Sequence, residues 1–114
     1  MRRFTLRIPD AGRVTVTRTS DVEDFRRVYS YAIRDEDGDL LGRGRDLFSG
    51  QAWHPNLHPD PDRMTADLLT FLTDVPGDFP PRIATWAREH HDRLTMAALD
   101  MEESWSEEPG EDRR

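Results

Sequence analysis

The stretch that decides the fold is "RRVYSYAIRDEDGDLLGRGRDLF", residues 26–48. It begins with aromatic and β-branched residues typical of a strand, and the Asp-Gly pair at its centre is the strongest short signal for a hairpin turn. With a two-residue turn there, Tyr31 falls opposite Gly44 and Ile33 falls opposite Gly42. Large side chains would then cover the gaps left by glycine on one face of the hairpin.

A second hairpin is predicted for residues 3–19, upstream of the first. In "FTLRI" the apolar residues alternate with polar ones, and "RVTVTRT" resumes the same period of two after a break at Pro9-Asp10-Ala11-Gly12. Gly12 can supply the left-handed residue that a short loop of this kind requires. The first half of the chain is therefore two antiparallel hairpins.

Helices follow the hairpins. "MTADLLTFLTDV" has apolar residues at helical spacing, and Pro76-Gly77-Asp78 ends that helix. A second apolar stripe predicts one long amphipathic helix over residues 81–103, with proline at its start. We therefore predict an α+β fold: a two-layer sandwich with an antiparallel four-stranded sheet, made of two hairpins, followed by two helices on one face.

The predicted core joins the bulky residues of the inner sheet face to those of the helix stripes. The helices contribute Leu68, Leu72, Trp86 and Leu94, and the strands contribute Phe4, Leu6, Val16, Tyr31 and Ile33.

Composition bounds the class of protein. The 114 residues suit one domain, which we place at 1–103, with an acidic and disordered tail at 104–114. The absence of cysteine excludes disulfides, thiolate nucleophiles and cysteine-ligated zinc. The N-terminal residues lack the apolar run of a secretory signal, and no segment is long and apolar enough for a membrane span, so we expect a cytoplasmic protein without a membrane partner.

Charge is unevenly distributed along the chain. The net charge is −7, yet residues 1–51 carry ten Arg and nine acids, whereas residues 52–114 carry six Arg and fourteen acids. The predicted strands place a set of arginines on the outer sheet face, where guanidinium groups could pair with phosphates or with carboxylates of a protein. An ordinary solvated face is the alternative. The set is Arg3, Arg7, Arg13, Arg34, Arg43 and Arg45, and Arg34, Arg43 and Arg45 are our candidate partner-binding residues.

A histidine- and proline-rich stretch, "WHPNLHPDPD" at residues 53–62, is the candidate metal site. His54 and His58 could bind a divalent ion with Asp60 or Asp62 as a third ligand, if a loop folds them together. The structural alternative is a connection that leads into a helix, with Asp60 as its N-cap and Pro61 in its first position. The sequence signal for metal is weak because structural zinc usually has four ligands.

Trp105 is the aromatic residue of the acidic C-terminal segment "EESWSEEPGEDRR". It either ends the apolar stripe and packs on the domain, or it stays exposed and acts as an anchor for a basic, apolar groove on a partner. We favour the anchor because four glutamates surround it.

No catalytic constellation is visible in the sequence. His90 falls on the apolar stripe and is predicted to be a core or boundary histidine, and no serine has a nucleophile context. The sequence therefore predicts a small noncatalytic protein-binding domain of the regulator, adaptor, inhibitor or immunity class, with another protein as its partner and no cofactor. The alternatives are a nucleic-acid-binding protein that uses the arginine-bearing sheet face and a metal-assisted enzyme at the His54/His58 loop. The oligomeric state is left open.

Overall fold

The computed structural model describes residues 2–23, 26–48 and 60–106. Four antiparallel strands form one sheet in the order β1-β2-β3-β4, and the helices that follow cover one of its faces. The predicted α+β fold is thus confirmed. The strands are β1 (Arg2–Ile8), β2 (Gly12–Glu23), β3 (Arg26–Asp35) and β4 (Leu40–Phe48).

The middle of the β3–β4 hairpin has the predicted pairs, but the predicted two-residue turn was wrong. The Asp35 N–H donates to the Asp39 oxygen, so three residues form the turn, and an irregularity between Ile33 and Arg34 offsets the extra residue. Tyr31 pairs with Gly44 and Ile33 pairs with Gly42. The ring of Tyr31 lies so close to Gly44 that a Cβ there would stand 2.5 Å from its atoms. Glycine is therefore needed for the aromatic ring to lie across the neighbouring strand. In the turn, the side chain of Asp35 accepts hydrogen bonds from the backbone of the two aspartates that flank Gly38.

The β1–β2 turn depends on unusual backbone angles. Asp10 has a φ of 62° and Gly12 has a φ of 146°. A Cβ on Gly12 would lie 2.1 Å from the backbone oxygen of Arg34, because β3 passes close beside it. Both the backbone angle and the close approach require glycine at this position.

Three α-helices follow the sheet, where the sequence predicted two. They are α1 (Pro61–Asp74), α2 (Pro81–Glu89) and α3 (His91–Ser106), with a 3-10 turn (Pro76–Asp78) after α1. The predicted single helix over 81–103 was wrong because the chain leaves α-geometry at His90, where φ is −115° and ψ is 24°.

The break lets the two helices cover different parts of the sheet. α2 packs toward β4, whereas α3 packs mainly along α1 and reaches β1. Helical hydrogen bonds continue on both sides of the break, from His90 N–H to Trp86 O and from Leu94 N–H to His90 O. The apolar stripe runs through the break because both helices face the same core, so periodicity alone does not detect it.

The core lies between the sheet and the helices. Of the predicted residues, Leu68, Leu72, Trp86, Leu94, Val16 and Ile33 are buried, and Leu6 and Tyr31 pack against them partly exposed. Phe4, predicted to be core, is only half-buried and lies outside the main cluster. The cluster also contains residues beyond the nine predicted ones: Ile8, Ala11, Val14, Tyr29, Met64, Leu69, Ile83 and Ala87.

Trp86 connects α2 to the β1–β2 turn. Its indole Nε1 donates a buried hydrogen bond of 2.9 Å to the backbone oxygen of Ala11. The β1–β2 turn would otherwise bury that carbonyl without a partner, which is costly. One side chain therefore both fills the core and holds the turn.

Candidate functional site

No described helix covers the outer face of the sheet. Six arginines lie on it, and we call this surface the arginine face. Alternation along each strand puts them all on this side, and each is exposed. Cross-strand pairing sets Arg7 opposite Arg13 and Arg13 opposite Arg34, so three guanidinium side chains form one row. The predicted placement of these residues is therefore present in the structure; their role in binding stays a prediction. The six are Arg3, Arg7, Arg13, Arg34, Arg43 and Arg45.

Small side chains separate the arginines on this face. The hydroxyls of Thr5 and Thr15 are hydrogen bonded across the strands at 2.9 Å. Both described tyrosines belong to the opposite face, where Tyr29 is fully buried. Burial also raises the pKa of Tyr31 above its usual 10.0. The face therefore offers mainly cations and hydroxyls, together with Val28, which is buried. Its small residues are Thr5, Thr15, Thr17, Ser30 and Ala32.

The arginines differ in how they are engaged within the protein. Arg45 forms an ion pair with Asp21, and Arg34 Nη1 donates to the backbone oxygen of Gly38 at 3.0 Å. Nη2 of Arg13 also reaches that turn, 3.7 Å from where a Cβ on Gly38 would lie. The side chains of the other three arginines make no hydrogen bond or ion pair with the described residues. These three are Arg3, Arg7 and Arg43.

The row of arginines has an electrostatic cost in the isolated protein. Like charges directly opposite each other in a sheet repel, and an anion lying across them would remove that repulsion. The helical layer has the opposite sign: its three helices carry eight acids against four arginines. The molecule therefore presents one basic face on a chain whose net charge is −7.

A second feature, the β1 groove, runs between β1 and α3. Its volume is about 820 Å³, within the range of typical ligand pockets. Apolar side chains form part of its wall and acids stand along it. The apolar side chains are Phe4, Leu6, Ile8, Met96, Ala97 and Met101, the acids are Asp62, Glu89, Asp92 and Asp100, and the arginines Arg7 and Arg93 also line the groove.

Sequence reasoning missed this groove. A signal was present in the sequence of α3, where Met96 is apolar but lies off the predicted apolar stripe; in the structure it is 57 % exposed. The single long helix predicted for this region concealed the groove, because the path of α3 past β1 depends on the break at His90.

His90 has the boundary position that the sequence predicted. It is partly buried, and its ring lies 5.8 Å from that of Trp86. It lines the β1 groove and also a smaller groove of about 430 Å³ beside the β3–β4 turn. Its neighbour His91 is exposed, with Nδ1 3.4 Å from an oxygen of Asp92.

The metal candidates are only partly described. His54 and His58 lie outside the described residues. Asp60 is exposed and is the N-cap residue of α1, where its backbone oxygen accepts hydrogen bonds from Arg63 and Met64 but its side chain makes no capping bond. Among the residues that the structure does describe, no group of three potential metal ligands is found. The metal site stays a prediction.

Trp105 lies in α3, which continues to Ser106 beyond the predicted helix end at 103. Its side chain and residues 107–114 are outside the described part of the chain, so its role as an anchor also stays a prediction.

No known protein family matches the sequence, and no curated protein or solved structure is significantly similar to the chain. Within the described ranges, no helix has the length and apolar character needed to cross a membrane. The case for a function therefore depends on the geometry and charge of the two surfaces.

Proposed function

We propose that the protein is a noncatalytic binding domain that recognises an acidic surface of a partner protein through the arginine face. One observation carries the proposal: six exposed arginines share the sheet face that no described helix covers. Arg3, Arg7 and Arg43 are the most available of them, because neither hydrogen bonds nor ion pairs tie them to described residues. The proposal includes a cytoplasmic location and a role as regulator, adaptor, inhibitor or immunity-type protein.

Two observations favour a protein partner over a nucleic acid. Both described tyrosines lie on the opposite face of the sheet, whereas surfaces that bind single strands usually stack bases on aromatic side chains. The net charge of −7 would also repel a polyanion that extends past the edge of the face. A compact acidic patch on a protein avoids that repulsion, since it need only cover the sheet.

Arg34, Arg43 and Arg45 stay in the proposed site, with different weights. Arg43 contributes directly, whereas Arg34 and Arg45 are already engaged and contribute mainly to the local positive potential. Trp105 would add an apolar anchor from the end of α3. This anchor is a separate part of the proposal and is tested by Trp105→Ala alone.

The test is affinity capture from an extract of the source organism, with nuclease treatment. The variant Arg7→Gln/Arg43→Gln removes two available cations from the arginine face. The matched control is Arg63→Gln/Arg88→Gln, which removes the same charge from the helical layer, where both arginines are exposed. We expect a protein partner that is still captured after nuclease treatment. The wild type and the control should capture it equally, and the face variant should capture less of it by about tenfold or more.

Two results would count against the proposal. Equal capture by both variants would show that net charge, and not the arginine face, determines binding. Loss of all capture after nuclease treatment would instead support the nucleic-acid alternative, which also predicts a steep dependence of binding on salt.

A further inference from the structure

The outer edge of β1 is unpaired in the described structure. β1 is the first strand in the sheet order and is paired only with β2. Outside that ladder, the described hydrogen bonds of residues 3–8 are the Thr5–Thr15 hydroxyl bond and the turn bond from Ala11 N–H to Ile8 O. The remaining amides and carbonyls of β1 therefore point outward, and an unpaired edge of this kind can pair with another chain.

The β1 groove lies directly beside this edge. Phe4 and Leu6 point toward the helical layer and are only partly buried, and Met96 of α3 is 57 % exposed on the other wall. An edge strand next to an apolar groove offers both backbone hydrogen bonds and pockets for alternate side chains, which is the arrangement used in strand addition.

We infer that β1 accepts an extended segment of a partner protein as a fifth strand, with apolar side chains in the β1 groove and acidic side chains beside Arg3 and Arg7. Successive side chains of an added strand point to opposite faces of the sheet. Those on the helical side meet Leu6 and Met96. Four acids and two arginines line the groove there, so its net negative charge favours apolar side chains over acids. Those on the other side lie next to Arg3 and Arg7, which favour acids.

The charge pattern argues against a second copy as the occupant. If two β1 strands paired antiparallel about their centres, Arg3 of each copy would lie next to Arg7 of the other. Four guanidinium groups would then meet on one face without an acid between them. A partner with acids at alternate positions removes this repulsion.

The chain's own C-terminal segment also fits poorly. Residues 107–114 read "EEPGEDRR" and contain no large apolar side chain for the groove. The inference does not require the proposed function, because the backbone edge and the groove would act even if the arginine face bound nothing else.

The test measures binding of synthetic peptides to the full chain by fluorescence anisotropy. The probe has about seven residues, the length of β1, and alternates Glu with Val and Leu. Two further peptides carry backbone N-methyl groups on either the odd or the even residues. Strand addition predicts that one of these loses binding by about tenfold or more while the other binds like the parent, since only one edge of the peptide pairs with β1.

Two protein variants provide the matched comparison on α3. Met96→Glu places a carboxylate in the groove and is expected to weaken binding about tenfold. Leu99→Glu, at a residue 51 % exposed on the same helix and not lining the groove, should leave it unchanged. Any one of three results would overturn the inference. The probe could fail to bind at millimolar concentration, the two N-methylated peptides could bind equally, or the two protein variants could have equal effects.

A last comparison separates this inference from the proposed function. A peptide with Thr in place of Glu should still bind, more weakly, and Arg3→Gln/Arg7→Gln should remove the preference for Glu. If an all-Glu peptide without apolar residues binds as well as the probe, strand addition is wrong and the arginine face acts alone. A wild-type dimer that Met96→Glu dissociates would assign the edge to a second copy and would also overturn the inference.

Discussion

Replacing Trp86 with phenylalanine should lower the free energy of unfolding by about 2–4 kcal/mol. Trp86 is 4 % exposed, and its indole is the described donor to the buried oxygen of Ala11. Leaving that carbonyl without a partner costs about 1–3 kcal/mol. The smaller ring adds roughly 1 kcal/mol for lost packing. For a domain of this size the sum corresponds to a fall in Tm of about 8 °C or more.

The assay is urea denaturation followed by circular dichroism, with Trp86→Ala and Phe71→Ala as companions. Trp86→Ala should cost about 3–5 kcal/mol. Phe71 is 39 % exposed on α1, so Phe71→Ala should lower the free energy of unfolding clearly less than Trp86→Phe does. A Trp86→Phe variant within about 0.5 kcal/mol of the wild type would refute the reasoning, because a loss that small leaves no room for an unpaired buried carbonyl.

Three further predictions follow from particular contacts. Gly12→Ala should destabilise the domain by about 2 kcal/mol or more because it combines a positive φ with a clash against the Arg34 backbone. Gly77→Ala should change the midpoint of urea denaturation little, because its Cβ would make only an ordinary contact, 3.6 Å from Nη2 of Arg88. Burial raises the pKa of Tyr31 above its usual 10.0, so the folded state holds that proton more tightly than the unfolded chain does. Stability should therefore fall as pH rises above about 10, which a pH series of denaturation curves measures. If Tyr31→Phe shows the same decline, the assignment to Tyr31 fails. Truncation after Ser106 should leave the Tm nearly unchanged while truncation after Asp100 should lower it, because Met101 packs against the core; equal Tm values for the two truncated chains would contradict that packing.

The sheet was predictable because its signals are local. The Asp-Gly pair marks the position of the turn and the period of two fixes which residues of β3 face the core. Tyr31 and Ile33 pair with the glycines as the sequence indicates, although the turn is longer than the two residues expected. The same alternation places the arginines on the outer face. These features depend on residues close together in the chain, where pattern and structure are directly linked.

The helical layer was less predictable because its geometry depends on tertiary packing. Nothing near His90 is a helix breaker such as proline or glycine, yet the chain bends there so that α3 can pack along α1 and reach β1. The partial burial of Phe4 and the β1 groove both follow from where α3 lies. A stripe of apolar residues reports that a helix faces the core and does not report its direction across the sheet.

The most direct test of the central claim is an NMR titration of the ¹⁵N-labelled chain with the protein partner obtained by capture. The account predicts that the amide signals of the sheet change most, at outer-face positions such as Thr5, Thr15 and Ala32, and that Arg7→Gln/Arg43→Gln abolishes those changes. Signals of α1 and of buried inner-face residues such as Val14 should move little. Changes confined to the helical layer, with the outer face of the sheet unaffected, would contradict the account.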